Sequence, residues 1–413
     1  MDRYKQLSKL NIVAIFAVFG GFAEFVILSP AMNSLQVAFA SYPFSTILLA
    51  NTISGIVSVP VAIIIGAIAN KVGFKPLAII GYLFMIAGCY PFFMPGLTVY
   101  WPIILSRVFI GIGTGFIFPI AGALVLYYWE GKKRAQMLGI SVVVQYVFAM
   151  IYSMLGGALA DIAWNYVFLT YLVSFLPLIV IIIGLKDPKK EIAALEAEQA
   201  AANAGQPKIP INNRIWGYVF MGLVVAIIVV CINFLASILI AGFGAENPGT
   251  IAGAVSTCFT VGCMIAGLTY GIVVNKIGRW IVPLFCFVGA LGSFGGFIAT
   301  NGVVLSISAF LIGITDMMLF TAAQNCVGNL THPTRLAFSN GVMSIMLNFG
   351  SFLGAYFLSA SQAAFPSLGE PAPLVVAGVI FVVFMVLAFF IKFEPLTKRM
   401  YPGYDPANDP EAA

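Results

Sequence analysis

Charge is what this chain has least of. Only 8% of its 413 residues are Asp, Glu, Lys or Arg, and there is a single histidine, His332, in a turn beside Pro333. So small an ionic content leaves no solvated surface for a soluble domain of this length. The six cysteines, Cys89, Cys231, Cys258, Cys263, Cys286 and Cys326, all fall in apolar stretches without metal-ligand spacing. They read as small packing residues, with no metal or redox centre expected. No phosphate-binding loop of the form G-x-x-x-x-G-K-[ST] occurs, so nucleotide hydrolysis is not expected. No paired His/Asp/Glu cluster or nucleophile motif marks an enzyme, and no cofactor is implied.

What the chain has instead is long apolar runs, with a mean hydropathy of +1.03. A bilayer core of about 30 Å needs roughly 20 apolar residues per helix, and backbone polar groups inside it must be satisfied within the span. The runs lack the alternation of barrel strands. Twelve spans are predicted, near 11–33, 44–69, 76–94, 99–127, 135–160, 165–185, 215–242, 249–274, 280–300, 303–329, 336–364 and 372–391, giving an all-α polytopic membrane protein. Nineteen of the twenty Lys and Arg residues fall in polar gaps on one side: Arg3, Lys5, Lys9, Lys71, Lys75, Lys132, Lys133, Arg134, the middle loop, Lys276, Arg279, Arg335 and the tail. The opposite gaps hold acids such as Asp161, Glu246 and Glu370. Positive-inside topology then places both termini in the cytoplasm, in a cell (inner) membrane, and explains the net charge of +5 without nucleic acid. The basic opening resembles a signal peptide's start, but the apolar run behind it is too long and carries Glu24, so it is expected to be retained.

Composition breaks sharply at Lys186-Asp187-Pro188-Lys189-Lys190, followed by an Ala/Glu-rich stretch to 204 that favours a surface helix ended by Pro207 and Pro210. The division is therefore residues 1–185 as a first six-span bundle, 186–214 as a cytoplasmic linker, 215–392 as a second bundle and 393–413 as a tail, disordered from Tyr401. An internal repeat supports it. Gly66-x-x-x-Asn70-Lys71-x-Gly73 recurs as Gly271-x-x-x-Asn275-Lys276-x-Gly278 at a constant offset of 205.

Gly66, Lys71, Gly73 and Lys75, between spans 2 and 3, resemble the signature loop G-x-x-x-D-[RK]-x-G-[RK]-[RK] of the major facilitator superfamily. Arg107, Gly111 and Gly113 in span 4 resemble that family's R-x-x-x-G-x-G, and Trp164-Asn165-Tyr166-Val167-Phe168 resembles its W-R-x-x-F run. The resemblance covers essentially the whole chain and implies two pseudo-symmetric six-helix bundles that rock about a central site lined by spans 1, 4, 7 and 10. The signature aspartate is Asn70 and Asn275 here, so the loop can cap a helix but offers no negative charge. Span 5 has Phe148, Tyr152 and Ser153 and keeps only Gly156-Gly157 of the drug antiporter motif, which weighs against a multidrug exporter.

Three ionisable residues lie well inside spans: Glu24, Arg107 and Asp316. Each costs about 2.5–3.5 kcal/mol at the bilayer centre on insertion scales, so each should face a wet cavity or a partner. At about 1.5 Å per residue, Glu24 and Arg107 fall in the outer half, where they could pair, and Asp316 lies about 20 Å down span 10, in the inner half without a cation at its level. A carboxyl so placed is suited to carry a proton. The expected roles are substrate contact for Arg107 and Glu24, proton coupling for Asp316 and Glu24, and further substrate contacts from Gln145, Asn233, Gln324 and Asn348. Glycines in spans 4 and 11 would let helices approach closely and slide. The resulting expectation is a monomeric secondary active transporter of a small organic solute by proton symport, with Arg107 favouring a solute that bears an anionic group. A proton-coupled exporter and a non-transporting sensor are the alternatives.

Overall fold

The computed structural model describes residues 7–129, 131–189, 212–331, 336–390, 393 and 396. The linker helix expected at 191–204, His332, Arg335 and the tail lie outside them, as do the side chains of Glu24, Asn70 and Lys132 to Arg134.

Among the described residues the structure is helical throughout. Its α-helices are α1 (Lys9–Ala17), α2 (Met32–Ala38), α3 (Phe44–Val72), α4 (Phe74–Ala87), α5 (Trp101–Tyr128), α6 (Gly131–Ile162), α7 (Phe175–Gly184), α8 (Ile215–Gly242), α9 (Pro248–Ile277), α10 (Ile281–Phe297), α11 (Gly302–Asn329), α12 (Leu336–Ala364) and α13 (Ala372–Phe390). Among the described residues, nine helical stretches are long and apolar enough to cross a membrane. One of them, Pro248–Phe297, has 50 residues. At 1.5 Å per residue that is about 75 Å, more than twice a bilayer core. The turn at Gly278–Trp280 breaks it into α9 and α10, so it supplies two crossings. With α12 and the N-terminal segment, the architecture is consistent with twelve spans.

The first span departs from a regular helix. After α1 the chain tightens into a 3₁₀ segment, Val18–Val26, that begins around the pair Gly20-Gly21. The change of register frees carbonyls that lipid cannot satisfy. The Tyr82 hydroxyl, from α4, donates to Ala17 O at 2.8 Å and to Val18 O at 3.2 Å. A second 3₁₀ stretch, Trp164–Ser174, opens the sixth span before α7.

Close helix approach follows the glycines. In α5, a Cβ on Gly111 would stand 2.5 Å from Ser54 O and one on Gly115 2.8 Å from Ser58 O, both on α3, while one on Gly113 would stand 2.6 Å from Gly81 O on α4. The α5 helix is thus wedged between two neighbours by glycine faces on opposite sides.

Two helix pairs join the N-terminal and C-terminal sets of spans: α6 runs along α9, and α3 along α12. Adding 205 to the numbering carries the second span onto the eighth and the fifth onto the eleventh. Exchanging the halves therefore maps one pair onto the other. The contact pattern has the twofold relation that the repeated loop implies.

Candidate functional site

Arg107 is fully buried. Nε donates to Ala50 O at 2.7 Å, Nη2 donates to Ser54 Oγ at 3.1 Å, and Nη1 donates to the Tyr171 hydroxyl. Its donors thus reach α3 and the 3₁₀ segment of the sixth span, clamping three elements of the N-terminal set around α5. A planar guanidinium suits this work because its donors fan out in fixed directions. With no exposed surface, Arg107 offers no open face to a solute in this conformation. Its expected pairing with Glu24 falls outside the described side chains.

Asp316 sits at the centre of α11, level with Tyr146 at the centre of α6. α11 has 28 residues, about 42 Å at 1.5 Å per residue, so it is longer than the bilayer core. Around Asp316, α6 and α9 meet α11. The Tyr146 hydroxyl donates to Met317 Sδ at 3.5 Å, and the Cys263 thiol donates to Gly313 O at 3.2 Å. The Asp316 carboxyl lies within electrostatic reach of both Tyr146 and Cys263. It is half-buried and makes no hydrogen bond or ion pair among the described residues. The Asp316 carboxyl, midway along α11, therefore stands where the two sets of helices touch, on an element of the C-terminal set facing a tyrosine of the N-terminal set.

The amides predicted to complete a site are distributed differently. Gln145 and Gln324 are half-buried, on α6 and α11, without a hydrogen bond among the described residues. Asn348 of α12 packs onto α3, its Oδ1 2.9 Å from where a Gly55 Cβ would lie. Asn233 is buried in α8 with Oδ1 unpartnered. The structure brings Asp316 to the junction between the sets of spans and keeps Arg107 inside one of them, so the two charges act in separate places.

In the repeated loop the decisive position is the last glycine of each copy. Gly73 has φ of 116° and Gly278 φ of 52°, backbone conformations that side chains with a Cβ rarely adopt. Gly66 and Gly271 lie within helices with room for a larger residue. Lys71 and Lys276 occupy the last turns of α3 and α9, where a cation complements the helix dipole, and Asn275 is exposed.

Two carboxylates with roles that the sequence did not signal emerge from the structure. Asp187, assigned above to the linker, accepts from Phe74 N at 3.0 Å and Lys75 N at 3.3 Å. It thereby supplies at the N-terminus of α4 a negative charge that Asn70 cannot. At the opposite end, Asp161 of α6 accepts from Gly249 N and Thr250 N, each at 2.7 Å, capping α9 across the junction. Beside it Ser153 Oγ donates to Gly253 O at 3.0 Å, and a Cβ on Gly157 would stand 2.3 Å from Gly249 O. The spacing Ser153-x-x-x-Gly157 facing Gly249-x-x-x-Gly253 was a readable signal for this contact. The Asn33 amide also donates to Ser237 Oγ, at 3.1 Å, and Ser237 Oγ donates to Ser29 O, at 3.3 Å, tying the end of the first span to α8.

Comparison with known proteins bears on what this arrangement does. The family model described as Major Facilitator Superfamily matches residues 12–249, more than half of the chain. Curated proteins give no match. Among solved structures, a peptide transporter POT is similar with a TM-score of 0.71 at 15% identity, covering 94% of this chain and 95% of that one. A D-xylose-proton symporter has a TM-score of 0.71 at 15% identity, over 96% and 100%. A POT family transporter in complex with 5-aminolevulinic acid has a TM-score of 0.68 at 12% identity, over 94% and 96%. At such identities the likeness is one of fold.

Proposed function

This chain belongs to the major facilitator superfamily, and from that premise we propose that it is a proton-coupled symporter of a small organic solute, working by alternating access with Asp316 as the proton carrier. The observation that carries the reading is the place of that carboxyl, midway along α11 where α11 meets α9 and α6. A carboxyl held there changes its surroundings whenever the two sets of helices separate. Solvation on one side favours the charged form, and closure around it favours the neutral form. Proton release is thereby tied to which side is open.

The two solved relatives named as a peptide transporter and a D-xylose-proton symporter support transport of a small solute, and the second supports coupling to protons. Gln145 and Gln324 are the proposed solute contacts, since both are amides at the junction with hydrogen-bonding capacity to spare. Arg107 is assigned to holding α5, α3 and the sixth span together as one rigid unit. In this conformation the Asp161, Ser153, Asn33 and Ser237 contacts close one face, which positive-inside topology makes the outer one. Opening outward requires the Asp161 cap on α9 to break.

The test is direct. Purified protein in vesicles loaded with a pH-sensitive dye is exposed to panels of amino acids, short peptides, sugars and small carboxylates. A symporter acidifies the lumen when its solute is added outside, without any imposed gradient. Alkalinisation would assign exchange in place of symport, and solute entry with no pH change would remove the coupling.

A further inference from the structure

A cavity of about 780 Å³ opens between α8, α10, α11 and α13, lined by apolar side chains that include Met221, Val225, Cys286, Leu319 and Phe384. Every lining residue belongs to the C-terminal set of spans or directly flanks it, and none comes from the N-terminal set, so the cavity is separate from the junction where Asp316 stands. Its mouth carries Arg214, immediately before α8, with Asn213 beside it. The Arg214 side chain is exposed and makes no hydrogen bond or ion pair among the described residues. Phe220, in the lining, is 60% exposed, and Trp216 beside the mouth 51%, as befits side chains in contact with lipid. Arg279, stacked on Trp280 at 4.9 Å, opens the neighbouring α10 at the same level, because α9 runs back to the side from which α8 starts.

The dimensions fit one kind of occupant. Val225 and Leu319 are buried at the inner end. Val225 stands 11 residues along the helix from Arg214, about 16 Å at 1.5 Å per residue. Half of a bilayer core is about 15 Å. A site with a cation at the headgroup level and a dry apolar slot one leaflet deep matches an amphiphile with an anionic head and a hydrocarbon tail. A free polar solute would leave its polar groups unpaired in that slot.

We propose that this cavity binds an anionic phospholipid from the leaflet on the Arg214 side, its phosphate on Arg214 and Asn213 and one acyl chain between α8, α10, α11 and α13. The proposal rests on the membrane placement of the chain and is independent of transport. In native mass spectrometry, full-length protein is delipidated in detergent and titrated with phosphatidylglycerol or phosphatidylcholine. Wild type should bind phosphatidylglycerol about tenfold more tightly, because the choline cation of phosphatidylcholine opposes the charge that its phosphate offers to Arg214. Arg214→Gln should bring the two affinities together. Leu319→Trp and Cys286→Phe, which fill the slot from different walls, should each weaken both lipids. Each variant is scored only if its gel-filtration profile matches wild type, and two filling variants guard against one failing to fold. A preference surviving in Arg214→Gln, lipid affinity unchanged by either filling variant, or displacement of phosphatidylglycerol by millimolar inorganic phosphate would each overturn the site.

Discussion

Arg107 and Asp316 show how one residue's surroundings decide its work. Both were legible from the sequence as costly charges within apolar spans, positions that need a partner or a cavity. Their surroundings were not legible. Arg107 is met by a carbonyl and two hydroxyls, Ala50, Ser54 and Tyr171, groups so common that no spacing betrays them. Tyr146 and Cys263 come from spans far apart in sequence, and each alone resembles ordinary core. Arg107→Lys should lower thermal stability, because an ammonium cannot reach all three acceptors and hydrogen bonds to charged groups contribute about 1.5–3 kcal/mol each. Unfolding monitored by intrinsic fluorescence should record the drop, while affinity for a transported solute stays within about twofold of wild type. A selective loss of affinity at unchanged stability would return Arg107 to the substrate site.

Glycine and carboxylate positions do the deciding for whole elements. The glycine faces of α5 were anticipated as surfaces of close approach, and the positive φ at Gly73 and Gly278 matches the turn that the repeated loop needs. The caps supplied by Asp187 and Asp161 were hidden because each acts on backbone amides 88 or more residues away in the chain. Gly73→Ala should detach Asp187 from α4, since the new Cβ would fall 2.4 Å from its Oδ2 in an already strained backbone. Hydrogen exchange at Phe74 and Lys75 should rise accordingly, and unchanged protection there would contradict the assignment. Loss of a helix cap costs about 0.5–2 kcal/mol, or about two- to thirty-fold in an equilibrium. Asp161→Ala should therefore shift the protein by that factor toward the state open at the Asp161 end. Labelling of a cysteine placed at Asn33 by an impermeant maleimide reads this shift. Slower labelling than in the same cysteine variant with Asp161 intact would show that the cap holds that end open instead.

At the scale of the molecule, twelve spans and the division into halves follow from hydropathy, the position of the basic gaps and a repeat of eight residues. Such patterns survive because every span answers to the same bilayer. What hydropathy does not record is which helices of one half meet which of the other. That information lies in the small-residue faces of α6 and α9 and in the contact of Asn348 with α3 at Gly55. The paired junctions α6–α9 and α3–α12 give the molecule two seams related by the same exchange, and in the proposed mechanism rocking about them would open one face as it closes the other. The Asp316 carboxyl stands beside the first seam, where the proposed proton transfer would be tied to that motion. The decisive measurement compares wild type with Asp316→Asn in proteoliposomes, using a solute identified by its stabilisation of the purified protein. The account predicts that the variant exchanges labelled for unlabelled solute at a rate near wild type and no longer accumulates it under an inward proton gradient. Accumulation equal to wild type in that variant would contradict it.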